Sequence, residues 1–367
     1  MSAIDVSISV ADPERPEITI SNDGRGIPVK VHSSEGIYIP ELIFGHLMTG
    51  SNFDDTKGRV TGGRHGYGAK LANILSHYFE VETYDSQRHI LYRQRWEENM
   101  SVKHEPAVEY IEDESKRASM KDYTRVTFAP DLARFKTASP AASASGYART
   151  SEAAWADAVG LMRRRAFDVA ACISPVKVSF DGTTVPVDSF EEYVRLFRLT
   201  DDDDDASAFE DPRKLCMVAK PSARWQVAVQ RSHSGSFENM AFVNNLWTSR
   251  GGSHVTAVTS QITKVVEELM EKKGVKVSPG VVRSKLMVFV NALIENPNFD
   301  SQSKDTLTTR PADFGSTPAL QKGFIKDVVT RLGIVEDLMV DAGRRERAQL
   351  LRAASRGAKG SRGLDIP

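Results

Sequence analysis

The chain has 367 residues, 40% of them hydrophobic and 26% charged, with a formal net charge of −1. That length holds two or three domains, and that composition belongs to a soluble globular protein. The balanced charge confines any nucleic-acid surface to a local patch. No apolar run reaches the ~18 residues of a membrane span, and Cys172 and Cys216, without metal-ligand spacing, read as reduced core residues.

Ile4, Val6, Ile8 and Val10 alternate with polar residues, which predicts a half-buried strand at the start of the chain and not a signal or transit peptide. A chain that opens inside a strand implies missing upstream sequence. After the turn at Asp12-Pro13 and Pro16, Ile18 and Ile20 predict a second strand ending at Asn22-Asp23-Gly24-Arg25-Gly26-Ile27-Pro28. A DG pair after a strand ordinarily turns a hairpin, yet no matching strand follows. The other reading is a buried carboxylate at Asp23 that accepts a hydrogen bond from an amine such as adenine N6. Residues 41–48 predict a short helix. Thr49, Gly50, Ser51 and Asn52 then either cap a loop or reach a ribose or phosphate.

Residues 60–74 read VTGGRHGYGAKLANI. Gly62, Gly63, Arg64, His65 and Gly66 run into Tyr67, Gly68, Ala69 and Lys70, with Leu71, Ile74, Leu75 and Tyr78 at helical spacing. Glycines let the backbone approach an oxyanion, and the opening helix aims its N–H groups and positive dipole end at it. Lys70 adds a full charge in the first turn. The physical reading is a polyphosphate cradle, and the bland one is a tight connection. The spacing fits neither a P-loop nor a dinucleotide-binding fingerprint.

Residues 79–83, 90–96, 102–110 and 125–128 alternate as antiparallel strands, and 137–145 form an Ala/Ser-rich surface loop. A helix over 151–173 places Trp155, Val159, Met162, Ala166, Val169 and Ile173 on one face, with Arg163, Arg164 and Arg165 either solvated or in contact with acidic neighbours. A hairpin turns around Asp181-Gly182, a helix covers 190–199, and the acidic run 201–205 reads as a mobile linker beside a domain boundary. Strands are expected at 214–219, 225–230, 236–246 and 288–294. A Gly-rich turn at 248–254 opens a helix carrying Val255, Val258, Ile262, Val265, Val266 and Leu269. A polar loop at 297–305 precedes a helical stretch over 318–355, interrupted near Gly333. Arg344, Arg345, Arg347, Arg352, Arg356, Lys359 and Arg362 face a single acid, Glu346, and the end of the chain reads as flexible. These elements predict an α/β sandwich followed by a smaller α/β domain.

NDGRGIP at 22–28 resembles the nucleotide motif shared by gyrase, chaperone, histidine-kinase and mismatch-repair ATPases. Longer strings are more specific: IYIPELIFGHLMTGSNFDD at 37–55, VTGGRHGYGAKLANI, FVNNLWTSRGGSH at 242–254 and LIENPNFDSQSKDTLTTRP at 293–311 resemble eukaryotic-type DNA topoisomerase II, in that family's order. The resemblance implies a GHKL-type (Bergerat) α/β sandwich ATPase domain over 1–195. A transducer domain of the ribosomal-protein-S5-like type follows over 196–340, with a basic tail at 341–367. It implies ATP as ligand, with Asp23 at the adenine, Gly50, Ser51 and Asn52 near ribose and phosphates, and Gly63, Arg64, His65, Gly66, Tyr67, Gly68, Ala69 and Lys70 as the phosphate lid. Gln302 and Lys304 match the transducer loop whose lysine reaches the γ-phosphate.

His65 stands where the family has asparagine, Gly50 where it has serine and Ser303 where it has threonine. The general-base glutamate and the protein ligand of Mg2+ are expected upstream of this chain, and the cleavage tyrosine beyond it. The fragment is therefore expected to hydrolyse ATP poorly. The complete enzyme is expected to be a nuclear homodimer acting on double-stranded DNA. The alternative is a nucleotide-gated binding or scaffold protein of the chaperone or mismatch-repair type.

Overall fold

A computed structural model describes the chain except residues 13–14, 48, 51–57, 64–65, 136–150, 198–215, 233 and 361–367, and except the side chains of 135, 151–154 and 353–360. Two compact units emerge: Met1–Lys57 with Thr61–Tyr193, and Gly58–Val60 with Val194–Pro367. No helix among the described residues is long and apolar enough to cross a membrane. Cys172 and Cys216 are free thiols.

The first unit is built on one sheet. Its strands are β1 (Ala3–Ser9), β2 (Glu17–Asn22), β3 (Ser76–Asp85), β4 (Ile90–Glu97), β5 (Val102–Lys103), β6 (Ala107–Tyr110), β7 (Tyr123–Pro130), β8 (Lys177–Phe180) and β9 (Thr183–Thr184). Their order is β5-β4-β3-β7-β2-β1-β8-β9, with β6 also on β4, and only β1 and β8 run parallel. The two-residue period of a strand explains the burial. Ile18 pairs with Phe128, Ile20 with Val126, Phe79 with Phe128 and Val81 with Val126, so these side chains share one face. The helix Ile39–Gly45 brings Phe44 onto that face beside Phe79, Val81, Ile90, Tyr92 and Trp96. Each such side chain stabilises the fold by about 1.5–3 kcal/mol when removed from water. On the opposite face Glu82 accepts from Tyr123 at 2.7 Å and Arg125 at 3.2 Å, and pairs with Arg93.

The expected segment 102–110 is two short strands: His104 N–H still donates to the Arg95 carbonyl at 3.0 Å, and the pairing with β4 resumes only at Ala107. A larger departure concerns the glycine-rich region. The helix Tyr67–Ile74 stops before Leu75, and Tyr78 lies in β3, where its hydroxyl donates to Glu17. Leu71 is 42% exposed, while Lys70 and Asn73 point inward. Two turns are too few for a full apolar stripe: Ala72 alone of the helix packs with the Phe79 cluster, and Asn73 donates to the Phe44 carbonyl at 3.2 Å at the end of Ile39–Gly45.

The second unit carries β10 (Cys216–Ser222), β11 (Trp225–Arg231), β12 (Glu238–Val243), β13 (Leu246–Trp247), β14 (Gly251–Gly252), β15 (Leu286–Ala292) and β16 (Thr306–Leu307). The main sheet runs β10-β11-β15-β12-β13, and β14 pairs with β16 apart from it. The expected strand 236–246 folds back on itself, since Asn244 and Asn245 take positive φ values of 49° and 66° and turn β12 into β13. β12 and β15 are parallel, so the chain must cross over between them, and the helix Ser253–Lys272 does so. Val255, Val258, Ile262, Val266 and Met270 on that helix pack with Val227, Val229, Val288 and Val290. Gly333, at φ 64°, separates the helices Lys322–Arg331 and Ile334–Gly360. The latter runs further than the pattern predicts. Gly58–Val60 is part of this unit: Asn296 N–H donates to the Arg59 carbonyl at 3.0 Å. The acidic run 201–205 lies outside the described residues.

Candidate functional site

In the first unit, the helix Tyr67–Ile74 opens from Gly66, whose φ of 66° and ψ of 22° are left-handed. That conformation favours glycine and swings the chain sharply into the helix. The first N–H groups of a helix lack intrahelical partners and carry its positive dipole end. Lys70 lies one turn in. Its side chain is 2% exposed, and its ammonium donates to Thr49 Oγ1 at 2.6 Å. Among the described residues it has no acidic partner. Burial pushes its pKa down from the usual lysine value. A Cβ on Gly66 would stand 3.3 Å from the Lys70 ammonium and 3.6 Å from Gly50, so these backbone and side-chain groups converge on one point. A Cβ on Gly63 or Gly68 would meet no atom within 4 Å, which leaves open space on the approach. Gly68 and Ala69 are exposed and Tyr67 half-buried. A buried cation with no acidic partner among the described residues, facing glycine backbone, suits an anion. Ser51, Asn52, Arg64 and His65 lie outside the described residues.

Asp23 departs from expectation. It is exposed, and its carboxylate accepts from Ser2 N–H at 2.6 Å, from Ala3 N–H at 2.8 Å and from the Ser2 hydroxyl. The Ser2 hydroxyl and those two amides hold its pKa down to about 2. The reason is register. Asn22, the last residue of β2, shares its face with Ile18 and Ile20, so Asp23 turns the other way. Asn22 is half-buried, opposite Thr124, which contacts the Thr83 hydroxyl at 3.1 Å. The polar group at the apolar face is therefore the asparagine. Strand alternation from Ile18 was the signal that identifies it.

In the second unit, Lys304 sits in the turn between Asp300 and Thr306 and takes a positive φ of 61°. Its N–H donates to the Ser301 carbonyl at 3.1 Å. Lys304 is half-buried, which pushes its pKa down, and no acid among the described residues pairs with it. Gln302 is exposed. The turn lies against the segment before the long helix: Arg250 N–H donates to the Asp305 carbonyl at 3.0 Å, Ser249 Oγ donates to Asp305 Oδ1 at 2.6 Å, and β14 pairs with β16.

Residues 190–358 match the family model described as DNA gyrase B. A DNA topoisomerase 2 from Arabidopsis thaliana is 42% identical over 358 residues, 97% of this chain but 22% of that protein's length. The crystal structure of the ATPase and transducer domains of DNA topoisomerase II from Balamuthia mandrillaris is 41% identical and aligns with 94% of this chain and 80% of its own, at a TM-score of 0.80. The chain belongs to the DNA topoisomerase II family. The ATPase region of Saccharomyces cerevisiae topoisomerase II is likewise similar, at 37% identity, with 93% of this chain and 80% of that one covered and a TM-score of 0.76. Both units thus have counterparts in topoisomerase II, and the topoisomerase reading stands over the chaperone or mismatch-repair alternative. Sequence reasoning drew attention to the glycine-rich loop and the Lys304 turn but did not single out Asn22, Thr83, Ser249 and Asp305. Their contacts depend on pairings between distant segments, which no local pattern reveals.

Proposed function

We propose that this chain is the ATP-binding and transducer part of a DNA topoisomerase II. In the complete nuclear enzyme, a homodimer, it would couple ATP binding and hydrolysis to clamp closure and to passage of one double-stranded DNA through another. The observation that carries this reading is the buried Lys70 ammonium, 2.6 Å from Thr49 and without an acidic partner among the described residues. A polyphosphate placed on the helix opening at Gly66 takes up both the N–H groups and that charge. Asn22, beside Thr83 and Thr124, is the polar group suited to read the base edge, in place of Asp23. Lys304 supplies a second cation, directed to the terminal phosphate. Desolvation there strengthens its attraction for charge that shifts during phosphoryl transfer.

Magnesium, when bound, would neutralise phosphate charge; no group of three or more His, Cys, Asp or Glu among the described residues could hold a metal ion. Arg344, Arg345 and Arg347 lie exposed on the helix Ile334–Gly360 and suit contact with DNA phosphates. The test of the ATP reading is a calorimetric series with AMP, ADP and a non-hydrolysable ATP analogue. Affinity should climb with each phosphate, and Lys70→Ala should flatten the climb. Equal affinity for all three nucleotides would sink the cradle.

A further inference from the structure

Lys304 is followed directly by an acid, Asp305. Adjacent opposite charges on a flexible turn would pair and cancel, and the lysine would then offer little to a phosphate. The structure prevents this. Asp305 Oδ1 accepts from Ser249 Oγ at 2.6 Å, and Oδ2 accepts from the Ser303 hydroxyl. The Asp305 carbonyl accepts from Arg250 N–H at 3.0 Å, so backbone and side chain are both fastened to the same neighbouring segment.

That neighbouring segment is itself rigid. Thr248 N–H and Oγ1 both donate to the Ala241 carbonyl within β12, at 2.8 and 3.0 Å. Because the Thr248 proton is spent on Ala241, its oxygen must accept from His254 Nε2, 3.3 Å away. His254 is fully buried in the first turn of the long helix. Ser249 therefore projects from a frame tied to the sheet and to the helix. Facing it, the turn holds Lys304 at a left-handed φ of 61°, a conformation that a residue with a Cβ keeps only when its surroundings impose it. Asp300 closes the other side of the turn, its Oδ1 accepting from Thr306 N–H at 3.1 Å.

We infer that Asp305 and Ser249 are positioning residues for Lys304: the Ser249 hydroxyl holds the Asp305 carboxylate away from the lysine, and the same contact locks the strained turn that presents the ammonium. The inference rests on the reading of Lys304 as the group that meets the terminal phosphate. It goes beyond that reading by explaining why an acid can stand next to the lysine without neutralising it. An amide at position 305 can still accept from Ser249, whereas alanine cannot.

The experiment measures, on the 367-residue chain, the ratio of affinity for a non-hydrolysable ATP analogue to affinity for ADP. Variants are Lys304→Ala, Asp305→Ala, Asp305→Asn, Ser249→Ala and the double Lys304→Ala/Asp305→Ala. Lys304→Ala should lower the ratio about tenfold or more, the size of one lost charged contact. Asp305→Ala and Ser249→Ala should lower it with ADP affinity unchanged. Asp305→Asn should restore it, and the double variant should be no worse than Lys304→Ala alone. A merely structural role would weaken both nucleotides alike, or add to the Lys304→Ala loss, and either result overturns the inference. So does an unchanged ratio in both Asp305→Ala and Ser249→Ala when Lys304→Ala lowers it. If Lys304→Ala itself leaves the ratio intact, or the parent chain binds neither nucleotide, the reading of Lys304 fails and the inference falls with it.

Discussion

Replacing Lys70 by methionine separates the cost of the cradle from its use. Methionine keeps the apolar stem of the side chain, which is 2% exposed, and deletes the ammonium. Without nucleotide that ammonium is a buried charge whose described partner is the Thr49 hydroxyl at 2.6 Å. Dehydrating an ion costs several kcal/mol, and one hydrogen bond returns about 1 kcal/mol. Lys70→Met should therefore stabilise the unliganded first unit by about 1–2 kcal/mol. For a unit of this size that is a rise of roughly 2–4 °C in Tm per kcal/mol. Nucleotide affinity should move the other way. Losing a desolvated charge contact to phosphate costs about 2–4 kcal/mol, a fall of roughly 30- to 1,000-fold. Differential scanning calorimetry gives the first quantity and titration with a non-hydrolysable ATP analogue the second. A variant that melts lower and binds within twofold of the parent would refute the argument, because Lys70 would then be a structural cation.

His254 makes the second unit sensitive to acid. Burial lowers its pKa from 6.5 to about 3, so below pH 6.5 the unfolded chain takes up a proton that the folded chain refuses. Stability should fall as pH drops through that window, by about 2 kcal/mol at pH 5. His254→Asn should abolish this component in urea unfolding at pH 7 and pH 5; the same acid loss in the variant would contradict it. A Cβ on Gly26 would lie 1.9 Å from the Tyr84 carbonyl oxygen, so Gly26→Ala should cost the first unit about 3 kcal/mol or more, and an unchanged denaturation midpoint would contradict that. Tyr193 donates to the buried Asp168 carboxylate at 2.5 Å, so Tyr193→Phe should destabilise by about 1–3 kcal/mol; stability equal to that of the parent would count against it. Changing Arg344, Arg345 and Arg347 to glutamine should reduce the salt slope of duplex DNA binding by up to about 3, and an identical slope would remove DNA from that helix.

Much of the fold is legible in local patterns. The alternation of Ile18 and Ile20, of Phe79 and Val81, and the 3.6-residue spacing of Val255, Val258 and Ile262 place strands and helices where they occur. Asp23 shows where such reading stops: the DG motif draws attention to the acid, while the strand's pleat selects Asn22, and only pairing with β7 reveals it. The helix after the glycine-rich loop shows another limit. Its buried residues are Lys70 and Asn73, so apolar spacing put the exposed Leu71 on the inner face and carried the helix on to Tyr78, which belongs to β3. Gly58–Val60 joins the second unit although its neighbours in sequence belong to the first. The partnership of Ser249 and Asp305 spans two loops and has no periodic signature at all.

A crystal structure of this chain with a non-hydrolysable ATP analogue tests the central claim most directly. The account predicts the polyphosphate at the opening of the helix Tyr67–Ile74, with the Lys70 ammonium turned from Thr49 to a phosphate oxygen. Phosphates bound elsewhere, with Lys70 still on Thr49, would contradict it.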